Sequence, residues 1–234
     1  MSIETKSRDF QDIREEYNRL FQTEPVRDED RGYRWLASQA LQDLNHPKRF
    51  LDLACGGGYF LRELNHLTQQ QLDLFGTDLS DSALDLAKIE CPRARFERVP
   101  AESRPFSDGF FDAITCLGSL EHFLDIEKAI HEMTRVTKPE GKIFILVPNM
   151  FWYKDIWSVF WKGARVTRNQ TQERFASMGE WRELFEKCGL NVHTIKKYNG
   201  IAKSPAKQQL KDLIIPLHFS YHFLFIASPK KSHG

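Results

Sequence analysis

The chain of 234 residues lacks long apolar runs, and its first residues lack an apolar core. No uninterrupted apolar segment reaches the roughly 18 residues that a helix needs to span a bilayer. The opening sequence MSIETKSRDFQDIREEYN is too highly charged for a signal peptide. We therefore expect a cytoplasmic protein with no transmembrane segment.

Cysteine is scarce, and the cysteines that are present form no CxxC pair. Disulfide frameworks and zinc clusters both need cysteines at recurring short spacings. We therefore expect free thiols at Cys55, Cys91, Cys116 and Cys188.

An excess of charge of one sign is also absent, because 33 Lys and Arg residues face 32 Asp and Glu residues and leave a formal charge of +1. Without a global field, nucleic acid is not an expected partner. The near-neutral total nevertheless contains a local concentration of Lys and Arg between Lys162 and Lys211. A hydrophobic content of 41% suits one globular domain of this length.

Hydrophobic periodicity predicts the fold class. Two helical stripes come first, and from Phe50 onward short apolar runs alternate with amphipathic stretches. Such alternation is typical of an α/β protein in which helices cover both faces of a parallel sheet.

A strand that runs straight into glycines is the most informative motif. In LDLACGGGYF, the residues Gly56 to Gly58 precede a predicted helix, where glycines let a ligand reach backbone N–H groups. The next strand ends at Asp78, 20 residues after Gly58, and a carboxylate at that position can hold ribose hydroxyls. The two features together predict an adenosine-nucleoside site.

The loop departs from the dinucleotide fingerprint. Counted from Gly56 and Gly58, the third glycine should stand at position 61, which is Leu61. Asp52 at the strand end would repel a pyrophosphate but attract a cationic amino or sulfonium group.

These segments resemble a known family. LDLACGGG resembles motif I of the class I S-adenosylmethionine-dependent methyltransferases, and GTDLS, PAESRPFSDGFFDAITCLGSLEHFLD and RVTKPEGKIFILVPN resemble its later motifs in order. The resemblance covers residues 48–150 and is closest to the small-molecule type 11 group that includes UbiE and UbiG. It implies a Rossmann-like, seven-stranded, mostly parallel sheet with an N-terminal helical extension and a helical insertion after strand 5. It also implies S-adenosylmethionine as cofactor and S-adenosylhomocysteine as product.

The resemblance implies cofactor contacts along the glycine loop and at the ends of neighbouring strands. The residues that match are Asp52, Ala54, Cys55, Gly56, Gly58, Asp78, Leu79, Ala101, Glu102 and Leu117. Pro100 stands where many relatives have an Asp that receives the adenine amino group. Gly118 stands where some quinol O-methyltransferases have a further acidic residue, so we expect no metal site.

The predicted organisation is a single domain over residues 1–234. Its expected parts are an N-terminal helical lid (1–46), a cofactor-binding core (48–150), an aromatic and basic insertion (151–176), and a final helix with strands (177–234). Three residues of the N-terminal part are candidates for contacts with the cofactor carboxylate or with the substrate, and core packing is the alternative for the two tyrosines. They are Tyr17 and Arg34 for the cofactor and Tyr33 for the substrate.

His122 is the candidate catalytic base and a candidate substrate contact. It follows the strand that ends near Cys116, and its near-neutral pKa range would suit removal of a proton from a hydroxyl or ammonium group. The alternative is that it orients its loop or caps the next helix. Its neighbour Glu121 is expected to point away from it, as adjacent residues on a strand do.

The insertion has an aromatic helix pattern followed by arginines. Trp152 and Trp157 belong to the aromatic arc, for which three interpretations are open: a packed accessory helix, a lid over the substrate, or an interfacial membrane contact. Arg174 is a candidate for binding a substrate carboxylate or phosphate, with a solvated loop as the alternative.

The sequence therefore predicts a methyltransferase that acts on the oxygen, or else the nitrogen, of a small-molecule acceptor. A non-catalytic cofactor-binding scaffold is one alternative. A nucleic-acid methyltransferase is another, disfavoured by the near-zero charge and by CLGSLEH standing where such enzymes often carry an Asn/Asp-Pro-Pro-aromatic loop.

Overall fold

A seven-stranded sheet forms the centre of the molecule. The computed structural model describes residues 9–23, 30–44, 48–68, 71–103, 105–163, 174–200 and 204–230. The strand order is β3-β2-β1-β4-β5-β7-β6, and every neighbouring pair is parallel except the two that involve β7. The strands are β1 (Arg49–Leu53), β2 (Asp73–Asp78), β3 (Arg95–Arg98), β4 (Phe111–Leu117), β5 (Thr137–Pro148), β6 (Leu190–Tyr198) and β7 (His222–Pro229).

Helices connect the strands. The described helices are α1 (Phe10–Thr23), α2 (Asp30–Gln42), α3 (Tyr59–Leu67), α4 (Asp81–Glu90), α5 (Ile126–Val136), α6 (Tyr153–Lys162), α7 (Met178–Lys187) and α8 (Pro205–Ile214). A short 3₁₀ turn, Leu120–His122, follows β4. No helix in these described ranges is long and apolar enough to cross a bilayer.

The central strands carry apolar side chains on both faces, which is why their sequences are almost continuously hydrophobic. Leu51 of β1 belongs to a core beneath α5 and α7, whereas the adjacent Phe50 belongs to a second core beneath α2 and α3. In β5, Ile145 and Phe144 divide between the two cores in the same way. The predicted mostly parallel sheet with helices on both faces is therefore confirmed.

Polar contacts fix α1 to the start of α4. Arg14 forms an ion pair with Asp81, whose pKa this guanidinium lowers. The Asn18 side-chain oxygen accepts hydrogen bonds from the Ser80 hydroxyl at 2.7 Å and from the Ser82 backbone N–H at 3.2 Å. Since α4 follows directly after β2, these contacts hold α1 beside the carboxyl end of that strand.

The insertions contain one helix that the sequence analysis does not predict and one whose packing it leaves open. Residues 205–214 form the helix α8. The aromatic residues of α6 do not pack into the core, because Trp157 and Phe160 are 64% and 75% exposed while Asp155 and Ser158 are buried. Of the predicted parts, the lid (1–46) and the aromatic insertion (151–176) are only partly within the described ranges.

Candidate functional site

A cavity of about 190 Å³ lies at the carboxyl ends of β1, β2 and β4. Its floor is the glycine loop after β1, and one wall is the apolar face of α1, which contributes Phe10, Ile13, Tyr17, Leu20 and Phe21. Tyr33 and Tyr59 also line it, with their rings stacked at 6.0 Å between centroids. Open α/β sheets bind ligands at this edge, so the cavity is the candidate site.

Asp78 holds the glycine loop against the start of α4. Its two carboxylate oxygens accept hydrogen bonds from the backbone N–H groups of Gly56 and Ser80, each at 2.9 Å. Burial raises the pKa of Asp78, and these N–H donors oppose that rise. Ala54 in the same loop has a positive φ of 54°, which a residue with a Cβ rarely adopts. The loop is thus fixed in the shape that lines the cavity.

Asp52 is a buried carboxyl group in the cavity wall. It is 3% exposed, and its Oδ1 accepts a 2.6 Å hydrogen bond from the Thr115 hydroxyl. Burial raises its pKa from the ordinary value of 3.8 to about 7; the Thr115 bond opposes this rise, and the charge of Asp78 adds to it. A cation placed in the cavity would favour the ionised form of Asp52.

This shifted pKa predicts how stability depends on pH. Because the pKa of Asp52 is higher in the folded than in the unfolded chain, its favourable contribution is complete below pH 3.8 and is lost as the pH rises through about 7. We expect the free energy of unfolding to fall by about 2 kcal/mol between about pH 5 and pH 8 through this group. Urea denaturation at both pH values measures the fall.

Asp52→Asn is the matched variant, because it keeps the shape of the side chain but cannot ionise. The difference between wild type and this variant isolates Asp52 from the other titrating groups. Equal pH dependence of the two proteins would contradict the assignment of the raised pKa.

Gly58 does not line the cavity but packs α3 against α4. Its φ is +77°, and a Cβ there would stand 2.9 Å from the Cβ and 3.0 Å from the Cα of Ala87. The implied direct cofactor contact of Gly58 is therefore not seen in this arrangement. Its lack of a side chain allows α3 and α4 to approach each other closely.

We expect Gly58→Ala to lower the free energy of unfolding by about 3 kcal/mol, since it combines left-handed strain with overpacking. Gly118→Ala is the control, because Gly118 has a similar φ of +65° and no atom of the described residues within 4 Å of its added Cβ. That variant should lose only about 1 kcal/mol. Equal losses, measured by urea denaturation without ligand, would contradict the packing role.

The segment after β3 also lines the cavity. Val99, Ala101 and Glu102 line it, whereas Pro100 does not. Glu102 is buried, and its carboxylate accepts a 3.3 Å hydrogen bond from the backbone N–H of Asp125. Three further predicted residues line the cavity: Cys55, Leu79 and Leu117. Burial also raises the pKa of the Cys55 thiol, which keeps it protonated.

His122 also lines the cavity, from the 3₁₀ turn after β4, a strand that β1 separates from β2. Its side chain is 11% exposed, and its Nε2 lies 3.8 Å from Oε1 of Glu121. The expectation that the two side chains point apart is wrong, because the segment is a turn and not a strand.

Arg174 supports the loop that carries His122. Its backbone N–H donates to the carbonyl of Glu121 at 3.3 Å, and its guanidinium donates to the carbonyls of Phe123 at 2.7 Å and Leu124 at 3.4 Å. Arg174 is absent from the cavity wall, where it was expected to recognise a substrate anion. Its guanidinium instead satisfies main-chain carbonyls about 50 residues away in sequence.

Three other predicted site residues lie away from the cavity. Arg34 is 64% exposed and lies 3.9 Å from the carboxylate of Glu63. Trp152 packs on Tyr221 with 4.5 Å between ring centroids, and Trp157 is exposed on α6. The structure therefore brings Tyr17 and Tyr33 to the site but not these three.

The apolar lining residues of α1 were not predicted as site residues. The sequence predicts a helical stripe within the N-terminal lid, but it assigns no site role to Phe10, Ile13, Leu20 or Phe21. Phe21 reaches the glycine loop, where a Cβ on Gly56 would come within 3.3 Å of its ring. The signal for this role in the sequence was an apolar helical stripe for which no packing partner was predicted.

The charges of the residues that line the cavity suit a positively charged nucleoside. The acidic lining residues in the described ranges are Asp52, Asp78 and Glu102, and His122 is the basic one, with no Lys or Arg among the lining residues. Such a wall disfavours a pyrophosphate and favours a cation. Asp78 and the Gly56 loop would hold the ribose and amino-acid parts of S-adenosylmethionine. The described residues include no group of three His, Cys, Asp or Glu placed to hold a metal ion.

The strand order with its reversed β7, the glycine loop and the carboxylate at the end of β2 define the class I S-adenosylmethionine-dependent methyltransferases. A family model described as a methyltransferase domain matches residues 10–195. The chain belongs to this methyltransferase family. The predicted class and the predicted cofactor, S-adenosylmethionine, are confirmed.

Individual relatives support the same family. The chain is 30% identical over 153 residues to the uncharacterized methyltransferase YcgJ of Bacillus subtilis, covering 64% of this chain and 60% of the relative. It is 36% identical over 122 residues to the demethylmenaquinone methyltransferase of Deinococcus radiodurans, covering 50% of this chain and 49% of the relative. The chain thus spans only about half to three fifths of these relatives.

Among solved structures, the fold is similar to that of a complex from Haloferax volcanii between the Trm112 methyltransferase activator and a methyltransferase. The TM-score is 0.69 at 20% identity, covering 95% of this chain and 99% of that chain. At this identity the likeness concerns the fold alone.

Proposed function

We propose that this protein transfers a methyl group from S-adenosylmethionine to a small hydroxylated acceptor. The observation that carries the proposal is the cavity itself, which brings His122 together with the carboxyl groups of Asp52 and Asp78. Bound S-adenosylmethionine supplies an electrophilic methyl group on a sulfonium. The residues of the chain then have to orient the acceptor, exclude water and receive its proton.

The lining residues have distinct roles in this proposal. Asp78 accepts hydrogen bonds from ribose hydroxyls, and ionised Asp52 balances the positive charge of the cofactor. The aromatic and aliphatic wall of α1 excludes water from the cavity. His122 removes the proton of the acceptor hydroxyl, because it lines the same cavity and follows β4, which β1 separates from β2 and its terminal Asp78.

Oxygen is the proposed methyl acceptor, with nitrogen as the weaker alternative. Deprotonation by His122 would give an oxyanion, which is the more reactive nucleophile. In a hydroxylated aromatic ring, the same deprotonation also activates the neighbouring ring carbon. Relatives named ubiquinone/menaquinone biosynthesis C-methyltransferase make carbon the competing acceptor atom. A hydroxylated ring is therefore the substrate class to test first.

Two measurements test the proposal. Calorimetry should detect binding of S-adenosylhomocysteine, and its absence would overturn the methyltransferase assignment for this chain. Incubation with methyl-labelled S-adenosylmethionine and a panel of quinols, phenols and amines should then label one class of acceptor. The position of the label, read by NMR, separates oxygen, nitrogen and carbon products.

The same pair of measurements addresses the scaffold alternative. A non-catalytic protein would bind S-adenosylhomocysteine normally but transfer no label to any member of the panel. Such a result would leave the cofactor site intact as a conclusion and would remove the catalytic part of the proposal.

A further inference from the structure

The helix α6 turns its polar side inward and its apolar side outward. Asp155 and Ser158, one turn apart, are 3% and 8% exposed. Trp157, Phe160 and Trp161 are 64%, 75% and 64% exposed and contact one another. A surface helix of a water-soluble protein normally has the opposite arrangement. The outward face of α6 therefore has the composition of a surface that is covered in use.

The helix α8 has the same inverted arrangement. Its Leu210, Leu213 and Ile214 are 56%, 82% and 63% exposed. On its inner side, Lys211 donates to the carbonyl groups of Asn199 and Gly200. The helix is thus attached through polar contacts, and its apolar residues are left outside.

Both helices leave the same edge of the sheet. The helix α6 follows the end of β5, and α8 lies between the end of β6 and the start of β7; Pro148, Tyr198 and His222 pair at this edge. The Asn149 side chain ties the two connections together by donating to the carbonyls of His218 at 2.9 Å and Ser220 at 2.8 Å. The cavity opens at this same edge, since β1, β2, β4 and β5 are parallel.

The exposed charges on these two helices are all positive. In α6 and α8 the exposed charged side chains are Lys154, Lys162 and Lys207. The carboxylates of the two helices are Asp155, which is buried, and Asp212, which is half-buried. The outward faces of α6 and α8 therefore combine tryptophan, phenylalanine, leucine and lysine. They carry no exposed carboxylate.

This chemistry favours a lipid surface over a protein partner. Lysine is depleted in protein–protein interfaces, whereas helices that lie in the membrane interface combine lysine with tryptophan, phenylalanine and leucine. Tryptophan rings favour the headgroup level of a bilayer, and lysines near an anionic leaflet add favourable electrostatic energy. We propose that the outward faces of α6 and α8 dock this protein on the surface of an anionic phospholipid bilayer.

Vesicle binding by the full chain tests this docking and does not depend on methyl transfer. We expect co-sedimentation with vesicles of about equal parts phosphatidylcholine and phosphatidylglycerol, with partitioning at least tenfold stronger than onto phosphatidylcholine alone. Added salt should weaken the anionic preference. Failure to bind the anionic vesicles would overturn the proposal, and equal binding to both compositions would overturn its electrostatic part.

Two variants with matched chemistry locate the docking face. The double change Phe160→Gln and Trp161→Gln should reduce partitioning at least tenfold, while thermal stability and S-adenosylhomocysteine affinity stay unchanged. Ile89→Gln is the control, since Ile89 is 73% exposed on α4 and its loss should leave partitioning unchanged. Equal losses in the two proteins would contradict the assignment to α6.

Analytical ultracentrifugation of the same proteins separates the other occupants of this face. The wild type is expected to sediment as one species whose mass does not depend on Phe160 and Trp161. A self-associated wild type that the double change dissociates would assign the face to a second copy of the chain and overturn the lipid proposal.

Discussion

Asp78→Ala is expected to weaken binding of S-adenosylhomocysteine about 100-fold or more. Two hydrogen bonds from ribose hydroxyls to an ionised carboxylate are each worth about 1.5–3 kcal/mol, and about 2.7 kcal/mol already corresponds to 100-fold. The substitution also removes the acceptors that fix the N–H groups of Gly56 and Ser80. Titration calorimetry with purified, folded variant measures the loss.

Two further variants separate ribose binding from loop distortion. Asp78→Asn keeps one acceptor oxygen in place of two and removes the charge, so an intermediate affinity is expected. Glu102→Gln changes another buried carboxyl group in the same cavity, and its loss should be less than about tenfold because no charged hydrogen bond to the ribose is involved. An affinity of Asp78→Ala close to that of the wild type would refute the ribose assignment.

His122→Ala is expected to lower kcat for the hydroxylated acceptor by about 10²–10⁴-fold, the usual contribution of a general base. Affinity for S-adenosylhomocysteine should be unchanged, since the hydrogen bonds by which Asp78 holds the glycine loop do not involve His122. The variant should recover activity as the pH approaches about 10, where a phenolic hydroxyl ionises without help. Single-turnover rates at saturating acceptor across this pH range give the result.

Arg174→Lys provides the comparison for His122. It breaks the paired guanidinium contacts to the carbonyls of Phe123 and Leu124, so it should lower kcat by displacing the loop but leave the shape of the pH profile unchanged. A chemical step of His122→Ala that runs at the wild-type rate at neutral pH would exclude proton transfer to this residue and leave positioning as the source of rate enhancement.

The central part of the fold was predictable because its determinants are local. The alternation of Phe50 with Leu51 divides β1 between two cores, and the glycines after it can only form a tight connection. Asp78 was identified from its spacing, since a strand and a helix of ordinary length lie between it and the loop. Local sequence patterns were therefore sufficient to predict the part of the cavity formed by the glycine loop and Asp78.

The remaining features depend on contacts that no local pattern encodes. Periodicity identifies an apolar arc on α6, but it cannot say that Asp155 and Ser158 are the residues turned inward. The partners of Arg174 are main-chain carbonyls about 50 residues away. Because every residue has a main-chain carbonyl, the sequence gives no sign of which ones Arg174 binds. Lys211 was grouped with the local concentration of Lys and Arg, although its ammonium group donates to the carbonyls of Asn199 and Gly200 just after β6.

The attachment of α1 to α4 has a consequence for exchange kinetics. A nucleoside held on the glycine loop would face the apolar side of α1, which lines the same cavity, so we expect loosening of the Arg14–Asp81 ion pair to favour its departure. Because the two side chains are 38% and 42% exposed, salt weakens this ion pair more than it weakens the buried contacts of Asp52. Higher ionic strength is therefore expected to shorten the residence time of the spent cofactor without changing the reacting groups.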